Sequence, residues 1–222
     1  MQNLIEQERF EIEVLDRLNS GRFLRFFIFC GGTMLRLCHG LDRYSVDLDF
    51  WMIDQDQKKT LFGELNAYLS NFYSIRDAAE KFYTILFELR SPHYPQSLKI
   101  EIRKEHESPE TEQAIAYSPH STRQVLLQAL TLREMMALKT SALLDRGEIR
   151  DAYDMEFLIK RGIPPVPDKE ILREVLVRLD SFSRRDYSVK LGSLLELEKR
   201  QYYREHNFRI LQAAVQDTLK ES

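Results

Sequence analysis

The chain has 222 residues, 43% of them apolar and 30% charged, with a formal net charge of −3. That balance excludes a disordered chain, and a charge so close to neutral excludes a global field for nucleic acid or membranes. No stretch approaches the roughly 18 apolar residues of a membrane span, and the longest run, FLRFFIFC, already contains Arg25.

The first residues, MQNLIEQERFE, carry acids and no apolar core segment, so no signal peptide is expected. NLIEQERFEIEVLDRLNSG places Leu4, Ile5, Ile12, Leu15 and Leu18 near helical spacing and closes on Gly21, which predicts a helix. FLRFFIFC reads as a buried strand, GGTMLRLCHG as a short helix bounded by glycines, and VDLDFWMI as the next strand. Cys30 and Cys38, the only cysteines, read as reduced thiols of a cytoplasmic protein, and the five histidines show no metal-ligand spacing. KKTLFGELNAYLSNF carries Leu61, Phe62, Leu65, Tyr68, Leu69 and Phe72 on one helical stripe. KFYTILFEL and LKIEIRKE are expected strands joined by the turn SPHYPQS. The resulting order predicts an α+β fold, a mixed sheet flanked by helices.

The polar segment from Glu107 to Ser121, with Pro109 and Pro119, reads as a connecting loop, and beyond it the sequence turns helical. Thr131 and Glu134 form a capping box opening TLREMMALKTSALLDRG, which stops at Gly147. IRDAYDMEFLIKRG is the next helix, and two or three more follow from about Asp168. Two domains are expected: a sheet-containing core at 1–112 and a mainly helical part at 113–222 sharing its cleft.

Between residues 30 and 53 the chemistry concentrates. Strand side chains alternate, so Asp47 and Asp49 project from one face with Cα atoms about 6.6 Å apart. Such a pair can serve a water-exposed strand face or converge on divalent cations, which would relieve the repulsion of two like charges. Gly31 and Gly32 follow a strand and open a helix, with Thr33 placed to cap it. Backbone N–H groups and the helix dipole at such a terminus suit a phosphate, and glycine lets it approach closely.

In the helical half, Lys139 has Met135 and Met136 one turn before it and Ala142 and Leu143 one turn after. An ammonium among apolar neighbours must meet an anion or reach water. Arg146, Arg150, Asp151 and Asp154 follow, the two acids three apart and so on one face. Further on, SFSRRDYSVKLGSLLELEKRQYYREHNFR interleaves seven basic residues with Phe182, Tyr187, Tyr202, Tyr203 and Phe208. Basic groups hold phosphates and aromatics stack on unpaired bases, but Glu196, Glu198 and Glu205 dilute the charge; a solvated helix face is the simpler reading.

GGTMLRLCHGLDRYSVDLDF resembles the signature of nucleotidyltransferases of the DNA polymerase beta superfamily. More narrowly it is similar to the AbiEii/AbiGii toxin family, through Gly31, Gly32, Thr33, Arg43, Ser45, Asp47, Leu48, Asp49 and Phe50. KTSALLDRGEIRDAYDMEFL resembles the same family's C-terminal motif, so the likeness runs from about residue 25 to 160. The resemblance implies a Mg²⁺-dependent enzyme, with a two-metal site, that moves a nucleotide from an NTP. Asp47 and Asp49 would hold metal, with Glu101 as a third carboxylate where the family often has Asp. Gly31, Gly32, Thr33, Arg43, Ser45 and Lys139 would bind the nucleotide. Lys139 and the acids Asp151 and Asp154 would complete the catalytic set, and Glu101 or Asp154 would activate the acceptor hydroxyl. It further implies the toxin of a toxin–antitoxin or abortive-infection system, with tRNA as acceptor and an antitoxin as partner. The rivals are a non-catalytic module that binds NTP or protein, and a transferase acting on a small molecule or a protein.

Overall fold

The computed structural model describes residues 2–53, 58–104 and 108–221. They form two compact units, Met1–Gly40 with Tyr44–Leu130, and Leu41–Arg43 with Thr131–Ser222. The first unit opens with α1 (Gln2–Ser20), followed by β1 (Phe27–Cys30), α2 (Gly31–His39), β2 (Asp47–Met52) and α3 (Lys58–Leu69). It continues with β3 (Ser74–Glu80), β4 (Thr84–Arg90), β5 (Leu98–Arg103), β6 (Thr111–Tyr117) and β7 (Gln124–Leu130). All seven strands join one mixed sheet in the order β3-β4-β5-β2-β1-β7-β6. Strand β2 runs antiparallel to β1 and parallel to β5, and β1 runs parallel to β7.

Side-chain alternation decides which face of that sheet becomes core. Leu48, Phe50 and Met52 of β2, Ile85, Phe87 and Leu89 of β4, and Leu98, Ile100 and Ile102 of β5 are each at most 1% exposed. Register puts them on one face: Leu48 lies beside Ile100, Ile100 beside Phe87, and Phe50 beside Phe29. Phe62 of α3 stacks on Phe87 with centroids 5.4 Å apart. Burying each such side chain contributes roughly 1.5–3 kcal/mol. On the opposite face Lys99, Glu101 and Arg103 are exposed while Asp47 and Asp49 are half-buried.

Helix α1 is fastened to the sheet by polar groups as well as by Phe10, Val14, Leu15 and Leu18. Gln7 Nε2 donates to the carbonyls of Val46 (3.1 Å) and Ser97 (3.3 Å), at the entrances of β2 and β5. Glu8 accepts from Ser118 and pairs with Arg36, whose guanidinium lies 3.9 Å over the Tyr44 ring. One turn on, Glu11 is wholly buried, and neither carboxylate oxygen has a hydrogen-bond partner among the described residues. Burial drives its carboxyl well above the usual range, with the charges of Glu8 and Asp47 adding and Arg36 opposing.

The α+β class with a mixed sheet is what the chain adopts, with three strands more than the sequence reading gave. FLRFFIFC spends Leu24–Phe26 on a 3-10 turn before β1 begins. β3 was not read as a strand, and β6 occupies the segment expected as a loop from Glu107 to Ser121. These are the two edge strands, mostly exposed, so neither shows an apolar stripe. β7 alternates Val125, Leu127 and Ala129 inward, but its Leu, Gln and Ala are helix-favouring residues that mask the pattern. The expected division at 112/113 therefore falls inside β6, and the units divide at Leu130/Thr131 because the sheet continues that far. Glu105, Glu107, Met1 and Ser222, which entered the expected strand, loop and domain limits, lie outside the described residues.

The second unit is helical: α4 (Leu132–Arg146), α5 (Ile149–Lys160), α6 (Lys169–Asp180), α7 (Leu197–His206) and α8 (Arg209–Glu221). Thr131 caps α4 by accepting from the Glu134 N–H (3.3 Å), as the capping box predicted, and Asp168 caps α6 through Glu170 and Ile171. Its interior is both apolar and charged. Asp154, wholly buried, takes both Nε and Nη2 of Arg43 at 2.6 Å, and Lys139 Nζ at 2.7 Å. Asp151, equally buried, takes Arg146 through two hydrogen bonds of 2.7 and 2.8 Å and Lys139 at 3.4 Å. The neighbouring Asp42 accepts from Tyr153 (2.5 Å) and pairs with Lys199, so the three residues 41–43 are anchored among these helices. Among the described residues no helix is long and apolar enough to cross a membrane.

Two expectations follow from the buried charges. Burial alone would raise the Asp154 carboxyl, but Arg43 and Lys139 outweigh it and hold the group below the ordinary range. Its stabilising contribution is thus complete above the unfolded value near ~3.9 and is lost as pH falls through the lowered folded one. Asp154→Ala removes the carboxylate that Arg43 and Lys139 share and leaves Lys139 with Asp151 alone, which should cost about 3–5 kcal/mol in denaturant unfolding at neutral pH; a loss below about 0.5 kcal/mol would refute the assignment. Glu11 has the opposite sign: its raised value means stability is fully present below about pH 4 and declines as pH rises through the folded pKa. Glu11→Gln should therefore raise the melting temperature at pH 7.5 more than at pH 4, and an equal effect at both would contradict the burial of this acid.

Candidate active site

The β1–α2–β2 segment brings the expected residues of the first unit together. Cys30 ends β1 in extended conformation and Gly31 turns the chain into α2 with φ +81°. That left-handed value favours glycine, and space demands it too. A Cβ on Gly31 would lie 3.0 Å from Asp49 Cβ and Cγ, and closer still to Oδ2. The Asp49 carboxylate therefore rests against the first residue of α2, where the positive end of the helix dipole favours an anion.

Thr33 does not cap this helix. The residue before the helix, Cys30, makes no side-chain cap, and the Thr33 hydroxyl instead donates to the Asp47 carbonyl at 2.6 Å. Thr33 is fully buried on the side of α2 that packs on β2, so its hydroxyl serves the strand rather than its own helix end. The effect is to tie the helix N-terminus to the backbone of the first acid.

Asp47 and Asp49 share one face of β2, both half-buried. Across the parallel pairing Asp49 registers with Glu101 and Asp47 with Lys99, while Cys30 flanks Asp49 on the antiparallel side. Glu101 is exposed. Three carboxylates thus occupy neighbouring positions on one sheet face, although no group of three or more His, Cys, Asp or Glu side chains among the described residues is closed into a metal cage. A carboxylate-only donor set suits Mg²⁺, which keeps several waters and is held by one or two protein carboxylates together with substrate phosphates. The pair on β2 fits that requirement without a third closed ligand.

Gly32 lies buried beside Gly31 in α2, and Ser45 is half-buried in the segment leading to β2. The remaining expected residues, Arg43, Lys139, Asp151 and Asp154, belong to the second unit and meet one another in its interior. The anion that the apolar surroundings of Lys139 required is Asp154, backed by Asp151. Lys139 and Arg43 are 5% and 2% exposed, and the two acids 0%. Sequence reasoning passed over Glu11. Glu11 carried a usable signal, standing three before Val14 and four before Leu15 on the buried stripe of α1.

A family model described as nucleotidyl transferase AbiEii toxin, type IV TA system, matches residues 13–220. Two crystal structures resemble the chain over nearly its whole length. JHP933 from Helicobacter pylori is 21% identical with a TM-score of 0.52, the match covering 93% of each chain. A candidate nucleotidyltransferase of H. pylori is also 21% identical, with a TM-score of 0.55 over 96% of this chain and 95% of the other. At that identity these likenesses speak for a shared fold. No curated protein sequence matches. With the family model spanning both units, the chain belongs to the AbiEii toxin family of nucleotidyltransferases, the toxins of type IV toxin–antitoxin systems.

Proposed function

We propose that the protein transfers a nucleotide from an NTP to an acceptor hydroxyl with Mg²⁺, that the acceptor is tRNA, and that it acts in the cytoplasm as the toxin partner of an antitoxin. The observation that carries this reading is the placement of Asp47 and Asp49 on one face of β2, with Glu101 in register and Gly31 clearing space for the Asp49 carboxylate. Asp47 and Asp49 would hold the metal, which when bound supplies positive charge to the triphosphate and the leaving pyrophosphate.

In the reaction the acceptor oxygen forms a bond to the α-phosphorus while the bond to pyrophosphate breaks, and the hydroxyl proton passes to a carboxylate. Glu101 is our choice for that proton because it is exposed, whereas Asp154 is buried between two cations. The start of α2 at Gly31 and Gly32, with Thr33 and Ser45 nearby in sequence, would receive the phosphates. In this reading Arg43 and Lys139 are positioning residues: their charges are already matched by Asp154 and Asp151, and the shared Asp154 holds Arg43 among the helices of the second unit.

Incubation with each labelled NTP, Mg²⁺ and total RNA should label a discrete RNA, and chelation should abolish it. Asp47→Asn or Asp49→Asn should lower the rate about a thousandfold or more, several kcal/mol of transition-state stabilisation, with an unchanged melting curve. Near-normal turnover in either variant would remove the metal assignment. Gly31→Ala forces a methyl onto the Asp49 carboxylate in a backbone conformation costing about 1–2 kcal/mol for an L residue, so it should lose transfer in parallel with Asp49→Asn. Full activity in that variant would show that the carboxylate is free to relocate.

A further inference from the structure

Within the second unit lies a cavity of about 620 Å³, lined by Phe182, Arg184, Tyr187, Arg200, Gln201 and Arg204 among others. Its volume falls within the range of small-molecule sites, yet the candidate active-site residues take no part in lining it. The composition is specific. Arg200 and Arg204 stand one turn apart on α7, where Cβ atoms are about 5–6 Å from each other, and Arg184 faces the same space from the start of the short helical segment that follows α6. None of these three guanidiniums has a carboxylate partner among the ion pairs of the described residues. Arg200 Nη2 donates to the Leu195 carbonyl at 3.2 Å, but its Nε is buried and makes no hydrogen bond among the described residues. The single acid on the wall, Glu205, already accepts from Gln201 Nε2 at 3.0 Å.

The floor is aromatic. Phe182 and Tyr187 pack on each other and on Phe208 with centroid separations of 5.4 to 6.3 Å. Tyr187 and Phe208 are buried while Phe182 stays part-exposed. An apolar ring beside a row of uncompensated guanidiniums and a side-chain amide offers three things at once: a stacking surface, phosphate contacts, and donors and acceptors for a base edge. Two arginines a helical turn apart can meet more than one phosphate, which a single mononucleotide monophosphate cannot supply.

We infer that this cavity binds single-stranded RNA, seating a base against Phe182 and its flanking phosphates on Arg184, Arg200 and Arg204. It is the acceptor-strand site of the transferase reading, and it rests on that reading only for the role of the bound strand. The basic and aromatic run that looked like a solvated helix face is, in this assignment, a strand-binding wall.

The test uses the full chain carrying Asp49→Ala, so that no transfer occurs, and a short unstructured fluorescent oligoribonucleotide followed by anisotropy. The parent should bind with an affinity that falls as salt rises. Arg200→Ala with Arg204→Ala should raise Kd at least about tenfold and reduce the log–log salt slope by about one to two, with an unchanged melting curve. Arg204→Lys alone should keep the slope, since it retains the charge. An unchanged Kd in the double variant, or a nucleoside monophosphate that competes as well as the oligonucleotide, overturns the assignment. Wild-type protein that binds the strand through these arginines but transfers nothing supports the cavity while removing the transferase reading, so the two fail separately.

Discussion

The register of β2 between β1 and β5 is the constraint on which the first unit depends. Leu48, Phe50 and Met52 are buried because they alternate with Asp47, Asp49 and Trp51, and a slip of one residue would exchange the two sets. Three buried side chains at roughly 1.5–3 kcal/mol each thus hold the carboxylates on the other face. Packing and chemistry are specified by the same six residues. The Thr33 hydrogen bond to the Asp47 carbonyl and the clearance at Gly31 add position to a register that the core has already chosen.

Buried charge is handled in two different ways. In the second unit two buried carboxylates are met by three cations in close geometry, and two of those pairings are bidentate. Such clusters contribute little net stability over an apolar core, but they punish the loss of any member and fix a unique arrangement of Leu41–Arg43. In the first unit Glu11 lacks such compensation, and Arg36, the nearby cation, is paired with Glu8. One acid is locked in its charged form by its neighbours, and the other is pushed towards its neutral form.

Much of this was legible in the sequence where apolar periodicity and special residues agree. Gly31-Gly32 at a strand end, Asp47 and Asp49 on an alternating strand, and Thr131 before a helical run each carry a local rule that the fold obeys. What escaped was set by tertiary context. Edge strands β3 and β6 expose most of their side chains, so no stripe announces them. The Thr33 hydroxyl was drawn from its helix end by a carbonyl fourteen residues on, which no local rule contains. The partners of Lys139 could be demanded from its apolar neighbours, but their identity required the folding of α5 against α4. Glu11 shows the reverse failure, since its spacing was visible and its charge diverted attention from it.

The same polar edges have a consequence for how the protein survives at high concentration. An open sheet presents a row of backbone donors and acceptors at each end, a template on which another chain can extend the sheet. Here the outer strands are SIRDAAE, which carries Arg76, Asp77 and Glu80 into solvent and is broken by an irregular register between Ile75 and Asp77, and TEQAIAY, which carries Glu112 and Gln113 outward but also exposes Ile115 and Tyr117. At the β3 rim these features disfavour intermolecular strand addition, and the core strands β4, β5, β2 and β1 are kept away from either rim. The charges of SIRDAAE are thus a guard against amyloid-like stacking at that rim, and hydrophobic substitutions at the outward positions Arg76, Asp77, Glu112 or Gln113 would erode solubility well before they eroded the fold.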